Sequence, residues 1–186
     1  MTARKGIDIQ GSADPIPVAL RVNGSAYSVR VQPRQLLSDV LREDLGLTGT
    51  HVACEHGVCG SCTVLLGGEP IRSCLMLAVQ ARGVEITTIE GLGSPDALSV
   101  LQESMRDAHA FQCGFCTPGI LLTLHAFLHE EGIPTEDDVK SRLSGNLCRC
   151  TGYQSIVQGA MLAIERMNAA SVGSPDAGPA SKEVTP

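Results

Sequence analysis

The stretch Cys54-Glu-His-Gly-Val-Cys59-Gly-Ser-Cys62, followed by Cys74, decides the fold of the N-terminal half of the chain. Its cysteines have the ligand spacing of a plant-type 2Fe-2S cluster: a gap of four residues, a gap of two, and a distant fourth ligand. A short loop can deliver three thiolates only if it turns sharply and brings its N–H groups close to the sulfurs. Gly57 and Gly60 permit this because they lack a Cβ. The spacing therefore predicts a 2Fe-2S cluster held by Cys54, Cys59, Cys62 and Cys74.

Two other uses of these four cysteines are a zinc site and disulfides. Zinc accepts four thiolates, but it usually takes them as two close pairs rather than as three and one. Disulfides among the three clustered cysteines would be strained, because a disulfide requires a certain Cα separation. We therefore rank the iron–sulfur cluster first, zinc second and disulfides last.

The composition excludes several classes of partner. Three Phe, two Tyr and no Trp argue against an aromatic platform for nucleic acid, and a formal net charge of −6 provides no basic surface for it. No apolar run is long enough to span a bilayer. Residues 1–10 show neither a secretory signal nor a twin-arginine pair. Eight cysteines without an export signal favour metal ligation, so we expect cytoplasmic localisation.

Hydrophobic periodicity predicts a small sheet in the first half. Residues 18–22 and 27–31 alternate as strands around Asn23-Gly24, which is a signature of a β-hairpin. A helix follows over 36–45, where apolar residues recur at helical spacing. The remaining predicted elements of this half are a second hairpin (63–66 and 70–73), a helical turn (75–80) and a strand (84–89). This order is that of a β-grasp ferredoxin.

Beyond the Gly- and Pro-containing segment 91–95, the periodicity is helical. Four helices are predicted, over 96–108, 118–131, 135–144 and 154–167. We therefore expect an α+β protein with an N-terminal β-grasp plant-type ferredoxin domain and a C-terminal four-helix-bundle 2Fe-2S domain. The predicted divisions are a flexible arm (1–16), the ferredoxin domain (17–90), the helical domain (91–168) and a disordered tail (169–186).

The helical half carries the other four cysteines, as Cys113-Gly-Phe-Cys116 and Cys148-Arg-Cys150. Each pair precedes a predicted helix, where the positive helix N-terminus favours thiolate over thiol. Two distant pairs could also suit zinc, but ligands separated by one residue are atypical of zinc ribbons and knuckles. The spacing favours a second iron–sulfur cluster over zinc by a modest margin.

Three motifs together carry a family resemblance: the Cys54–Cys62 loop, Gln112-Cys-Gly-Phe-Cys-Thr-Pro-Gly119, and Cys148-Arg-Cys-Thr-Gly-Tyr153. With them, residues 18–167 resemble the small iron–sulfur subunit of the xanthine oxidase family of molybdenum hydroxylases. The chain departs from the family pattern at no ligand position.

The resemblance implies a role for each motif. Cys54, Cys59, Cys62 and Cys74 would hold the cluster distal to molybdenum. The set that would hold the proximal cluster is Cys113, Cys116, Cys148 and Cys150. Gln112 and the Cys150 region would contact a molybdopterin carried by a large partner subunit. An amide both donates and accepts hydrogen bonds, so Gln112 suits the edge of a heterocycle; without the motif, it would be interpreted as an exposed loop amide.

The function implied by the resemblance is electron transfer within a multisubunit molybdenum-dependent oxidoreductase. Electrons would pass from the molybdopterin centre through the two clusters to an acceptor such as FAD on a medium subunit. The sequence has no phosphate-binding glycine motif, so the chain is not expected to bind a flavin or nicotinamide itself. It also has no nucleophile–base set, and no catalytic residue is predicted. The alternatives are a free-standing two-cluster ferredoxin and, less favoured, a zinc-stabilised binding module.

Overall fold

The computed structural model describes residues 14–130 and 132–172. Most of the predicted arm (1–16) and tail (169–186) lies outside the described residues. In the described ranges, no helix combines the length and apolar character that crossing a membrane requires.

A five-stranded mixed sheet forms the N-terminal half, with the strand order β2-β1-β5-β3-β4. Its strands are β1 (Ile16–Val22), β2 (Ser25–Val31), β3 (Thr63–Leu66), β4 (Glu69–Arg72) and β5 (Glu85–Thr87). Strands β1 and β5 are parallel, and the other neighbours are antiparallel. The predicted hairpin at Asn23-Gly24 is confirmed, with φ angles of 51° and 74° that match its tight turn.

One helical segment covers this sheet. It starts as a short α-helix, α1 (Leu37–Asp39), and continues as a π-helix (Val40–Asp44). Leu37, Val40 and Leu41 are fully buried in one core with the apolar residues of β1. Their burial holds this helical segment, which precedes the Cys54–Cys62 loop, against the sheet.

The second half is helical, as predicted. Its helices are α2 (Val100–Asp107), α3 (Thr117–Leu128), α4 (Glu136–Leu143) and α5 (Gln154–Val172). They bury a separate core that includes Leu101, Met105, Ile120, Leu124 and Ile156. The two halves therefore have independent hydrophobic cores, as expected of two domains.

Three helix boundaries differ from the sequence prediction by three residues or more. Helix α3 ends at Leu128 rather than at residue 131. Helix α2 begins at Val100 rather than Asp96, because Ser99 caps it and exchanges hydrogen bonds with Gln102. Helix α5 continues to Val172, beyond the predicted end at 167 and into the segment predicted to be disordered. Alanines favour helix, so the composition of 169–170 is compatible with this extension.

Candidate metal centres

The first cysteine loop depends on two glycines in left-handed conformations. Gly57 has a φ of 74° and Gly60 a φ of 76°. Side chains on either would also collide with neighbours: a Cβ on Gly57 would overlap Leu75, and one on Gly60 would overlap the carbonyl oxygen of Gly145. The predicted need for glycine at both positions is explained by conformation and by close contact together.

Backbone N–H groups surround the sulfur of Cys54. The N–H groups of His56 and Cys59 each donate to this sulfur at 3.4 Å. These hydrogen bonds, led by that of Cys59, lower the pKa of the Cys54 thiol to about 6. A thiolate is the form that binds iron, so the loop stabilises the ligand form of Cys54 before any metal is bound.

Unlike Cys54, Cys74 is buried, and it lies close to Cys62. Burial, followed by the hydrogen bond with the Cys62 sulfur, raises the pKa of the Cys74 thiol to about 11. The charge of Cys54 also acts on Cys74, and the N–H of Gly57 partly offsets the increase. Because Cys54 also interacts with Cys59, all four thiols of the first set lie within interaction distance of at least one other member.

The second set joins two loops that precede helices. Cys116 is the N-cap of α3, and the loop of Cys148 and Cys150 precedes α5. The sulfurs of Cys150 and Cys113 are 3.5 Å apart. Burial, followed by the sulfur of Cys148, raises the pKa of Cys116 to about 12. The structure therefore brings together the two cysteine pairs that the sequence separates.

Thr151 and Tyr153, for which the sequence predicts no individual role, organise the loop around Cys148. Burial of Cys148 opposes ionisation, but hydrogen bonds from the Thr151 hydroxyl and from nearby backbone N–H groups outweigh it and lower the Cys148 pKa. The Thr151 oxygen lies 3.2 Å from the Cys148 sulfur and accepts the N–H of Tyr153 at 3.1 Å. The Tyr153 hydroxyl accepts the N–H of Cys148 and donates to the carbonyl of Asn146.

The donor chemistry of both sets fits a 2Fe-2S cluster. Within residues 14–130 and 132–172, no three His, Cys, Asp or Glu side chains form a group that could hold one metal ion. A 2Fe-2S cluster has different requirements, since its four thiolates are divided between two irons. Each set offers four thiols in two neighbouring pairs, and both are supplied with N–H or O–H donors directed at sulfur.

Direct hydrogen bonds connect the two cysteine regions. The N–H of Leu147, the residue before Cys148, donates to the carbonyl of Cys59 at 2.8 Å. The buried side chain of Asn146 donates to the carbonyl of Gly60 at 3.2 Å and accepts the hydroxyl of Thr123 at 3.1 Å. The two candidate centres are therefore held in a fixed relation by the backbone of their own loops.

The second cysteine region has an exposed face. Gln112, Cys113 and Cys150 are exposed, and Phe115 is 44% exposed. His51 of the first domain stacks on Phe115 with ring centroids 4.8 Å apart, and its Nδ1 lies 2.8 Å from the Phe115 carbonyl oxygen. Gln112 thus lies beside the ligand loop on an accessible surface, while the ring contact supports that loop from the side of the first domain.

Comparison with known proteins decides the family. Residues 20–86 match the family described as a 2Fe-2S iron-sulfur cluster binding domain, and residues 88–161 match a 2Fe-2S binding domain. The gamma subunit of caffeine dehydrogenase from Pseudomonas sp. (strain CBB1) is 53% identical over 144 residues, which cover 75% of this chain and 86% of that subunit. The small subunit of nicotine 6-hydroxylase from Paenarthrobacter nicotinovorans is 50% identical over 146 residues, covering 78% and 88%. Quinoline 2-oxidoreductase from Pseudomonas putida 86 has a chain that superposes with a TM-score of 0.80 at 48% identity, covering 87% of this chain and 99% of that chain.

The chain belongs to the small iron–sulfur subunits of the xanthine oxidase family of molybdenum hydroxylases. The predicted fold class is confirmed: a plant-type ferredoxin domain precedes a helical 2Fe-2S domain. As an iron–sulfur subunit of this family, the chain binds two 2Fe-2S clusters and serves electron transfer in a multisubunit oxidoreductase. Its relatives are subunits of complexes whose molybdopterin is carried by a large subunit. Neither the free-standing ferredoxin nor the zinc-stabilised module is favoured.

Proposed function

We propose that this subunit conducts electrons along a fixed order of sites, from the large subunit through a proximal cluster and then a distal cluster to an acceptor. The proximal cluster is held by Cys113, Cys116, Cys148 and Cys150. The distal cluster is held by Cys54, Cys59, Cys62 and Cys74. Each cluster supplies the ability to take up and release one electron. The observation that carries this proposal is the pair of four-thiol sets, which are joined through the hydrogen bond between Leu147 and Cys59.

The protein's own residues perform three tasks in this relay. The loops hold thiolates, and the N–H groups of His56 and Cys59 stabilise negative charge on the Cys54 sulfur. Burial of Cys62 and Cys74 reduces access of water to one side of the distal site. The loop contacts at Asn146 and Leu147 keep the two sites at a constant separation, which a relay between fixed partners requires.

Gln112 and Cys150 are proposed to contact the molybdopterin of the large subunit. Their exposure supports this assignment, because a partner subunit can reach them without rearrangement of this chain. The amide of Gln112 can donate to and accept from the edge of a heterocycle at the same time. The large subunit would therefore dock over the exposed face that includes Cys113 and Cys150.

The proposed acceptor is FAD on a medium subunit, reached from the distal cluster in the domain 17–90. The domain 91–168 is proposed to hold the proximal cluster. We propose the cytoplasm as the compartment, since eight cysteines used as metal ligands would be at risk of oxidation elsewhere. Flavin analysis and the location of the assembled complex test these two assignments; a complex without flavin, or one found outside the cytoplasm, would contradict them.

This chain does not determine the substrate of the complex. The relatives are named for caffeine, nicotine and quinoline, and others of 45% identity for aldehydes. Similar iron–sulfur subunits thus serve enzymes named for chemically different substrates. Substrate selection is therefore assigned to the large subunit.

Cofactor content provides the direct test. We expect about four irons and four acid-labile sulfides per chain in the purified complex, and two distinguishable EPR signals after reduction. Replacing one cysteine of either set should remove or alter one signal and leave the other. A complex that contains stoichiometric zinc and no iron after anaerobic purification would refute the assignment of the two cysteine sets.

A further inference from the structure

Arg72 joins the two cysteine regions at the end of strand β4. Its Nη1 donates to the hydroxyl of Thr63 at 2.6 Å, and its Nη2 donates to the carbonyl of Gly145 at 2.7 Å. Thr63 directly follows Cys62, and Gly145 precedes Cys148 by three residues. Arg72 itself precedes Cys74 by two. One guanidinium thus contacts the ligand-bearing segments of both proposed clusters.

A hydrogen-bond chain fixes the position of this guanidinium. The Thr63 hydroxyl, which accepts from Arg72, donates in turn to the carbonyl of Gly60 at 2.6 Å. Gly60 lies between Cys59 and Cys62 and also accepts the side chain of Asn146. Hydrogen bonds therefore tie the cation to the turn of the first cysteine loop.

Among the residues that the structure describes, no carboxylate pairs with Arg72. Its two partners are a hydroxyl and a carbonyl. A guanidinium carries a positive charge and acts as a hydrogen-bond donor only. Arg72 is half-buried, so solvent screens its field less than that of an exposed arginine.

We propose that Arg72 raises the reduction potentials of both clusters, because its positive charge lies between the two segments that carry their ligands. Reduction adds one negative charge to a cluster, and a nearby cation stabilises the reduced form more than the oxidised form. The potential of an iron–sulfur cluster responds to local charge, so neutralising Arg72 should make both clusters harder to reduce. This inference rests on the ligand sets proposed above.

The test compares charge with hydrogen bonding in the assembled complex. Arg72→Gln removes the charge and retains an amide donor, whereas Arg72→Lys retains the charge and loses the two-pronged contact. EPR-monitored redox titration measures the midpoint potential of each cluster. We expect Arg72→Gln to shift both potentials to more negative values, and Arg72→Lys to keep both close to those of the wild type.

A matched control separates local from general charge effects. Arg30 lies on strand β2 at the opposite edge of the sheet and donates to the carbonyl of Pro15 at 2.6 Å. Arg30→Gln makes the same change in net charge and should leave both potentials unchanged. A shift as large as that of Arg72→Gln would show a general charge effect and overturn the proposal.

Two further outcomes overturn it. If Arg72→Gln leaves either potential unchanged, the cation does not act on that cluster. If Arg72→Lys shifts the potentials as Arg72→Gln does, Arg72 acts only through its hydrogen bonds. Iron content and EPR of the wild-type complex distinguish this failure from that of the proposed function: absent clusters refute the ligand sets, whereas intact clusters with unmoved potentials refute only the role of Arg72.

Discussion

Cys54 and Cys74 belong to the same set of thiols but have opposite acid–base properties. Hydrogen bonds lower the pKa of Cys54 to about 6, whereas burial and the neighbouring Cys62 raise that of Cys74 to about 11. At neutral pH in the absence of metal, the first is a thiolate and the second a thiol. Binding of iron must therefore release a proton at Cys74, and the exposed loop offers Cys54 as the thiolate already formed.

Thr151 is placed to donate its proton to the sulfur of Cys148. The Thr151 oxygen already accepts the N–H of Tyr153, so its own hydrogen can point to the sulfur at 3.2 Å. Tyr153 adopts a φ of 67°, which is uncommon for a residue with a bulky side chain. Its hydroxyl bridges Asn146 and Cys148, and these two bonds offset the cost of that conformation.

At the residue scale, the proposed pterin contact gives the first prediction. Gln112→Ala removes an exposed amide beside Cys113 but no ligand, so both clusters should assemble with unchanged EPR signals. A hydrogen bond of this kind contributes about 0.5–1.5 kcal/mol, which corresponds to roughly a two- to tenfold effect on binding or rate. We therefore expect slower turnover of the complex, or a lower molybdenum content per complex, by that factor.

Gln158 provides the matched control, because it is an exposed glutamine on α5. Gln158→Ala should leave turnover and molybdenum content unchanged. Equal turnover and equal molybdenum content in the Gln112→Ala and wild-type complexes would exclude Gln112 from the pterin contact.

Individual residues show where sequence reasoning succeeds. The spacing of Cys54, Cys59 and Cys62 predicts a shared loop, because three ligands of one cluster that lie within nine residues can converge only if the backbone between them turns. The roles of Thr151 and Tyr153 could not be predicted, because they depend on the positive φ of Tyr153 and on the position of the Asn146 carbonyl. Such hydrogen bonds follow from tertiary geometry rather than from residue type.

At the element scale, the segment 36–45 shows the limit of periodicity. Its apolar residues predicted one helix, and the structure has α1 followed by a π-helix, with the N–H of Leu45 bonded to the carbonyl of Val40 at 3.0 Å. Over two turns, residues such as Leu37 and Leu41 lie on the buried side in either helix type. Hydrophobic spacing over so short a segment therefore cannot distinguish an α-helix from a π-helix.

Helix α3 packs directly on the first cysteine loop through Gly119. A Cβ at this position would overlap the carbonyl oxygen of Gly60 and lie 3.2 Å from the Cα of Ser61. Both neighbours are backbone atoms held by the hydrogen bonds of Asn146 and Thr63 to Gly60. The contact therefore leaves no room for adjustment by a side chain.

Gly119→Ala is predicted to destabilise the packing of α3 on the loop. Overpacking against rigid atoms costs about 1–3 kcal/mol, and the higher helix propensity of alanine returns at most about 1 kcal/mol. Since 1 kcal/mol corresponds to about 2–4 °C in a protein of this size, the temperature at which cluster circular dichroism is lost should fall by several degrees. The measurement is made on the assembled complex at a fixed heating rate.

Gly145→Ala is the control at the same junction. A Cβ on Gly145 would lie 2.8 Å from Nη2 of Arg72, a side-chain atom that can shift slightly while its hydrogen bonds persist, whereas the atoms that face Gly119 belong to the backbone. Its effect on the same temperature should be smaller than that of Gly119→Ala. If both alanine variants melt together with the wild type, close packing at Gly119 does not limit stability.

At the scale of the whole molecule, hydrogen bonds between their loops hold the two domains, and with them the two cysteine sets, in one arrangement. Leu147 and Asn146 of the helical domain contact Cys59 and Gly60 of the ferredoxin domain. The sequence predicts both domains, since each has its own hydrophobic periodicity. It contains no signal for their junction, because the bonded residues are 86 positions apart in the case of Asn146 and Gly60.

The order of the two clusters gives the final prediction. Serine is a poorer ligand for iron than cysteine, so Cys150→Ser should perturb the proximal cluster and Cys59→Ser the distal one. After rapid mixing with substrate and freezing, the Cys59→Ser complex should reduce the proximal cluster promptly while the acceptor stays oxidised. The Cys150→Ser complex should leave the distal cluster oxidised on the same timescale, because the step between molybdenum and the distal site is interrupted.

The two serine variants serve as controls for each other, because each makes the same chemical change in one set and leaves the other set intact. Iron content and subunit composition must first show that each complex is assembled, since loss of a ligand can also unfold its domain. EPR of the frozen samples then follows the two clusters separately. If the distal cluster of an assembled Cys150→Ser complex, with its proximal signal altered, is still reduced at the wild-type rate, electrons do not need the proximal site, and the proposed order is wrong.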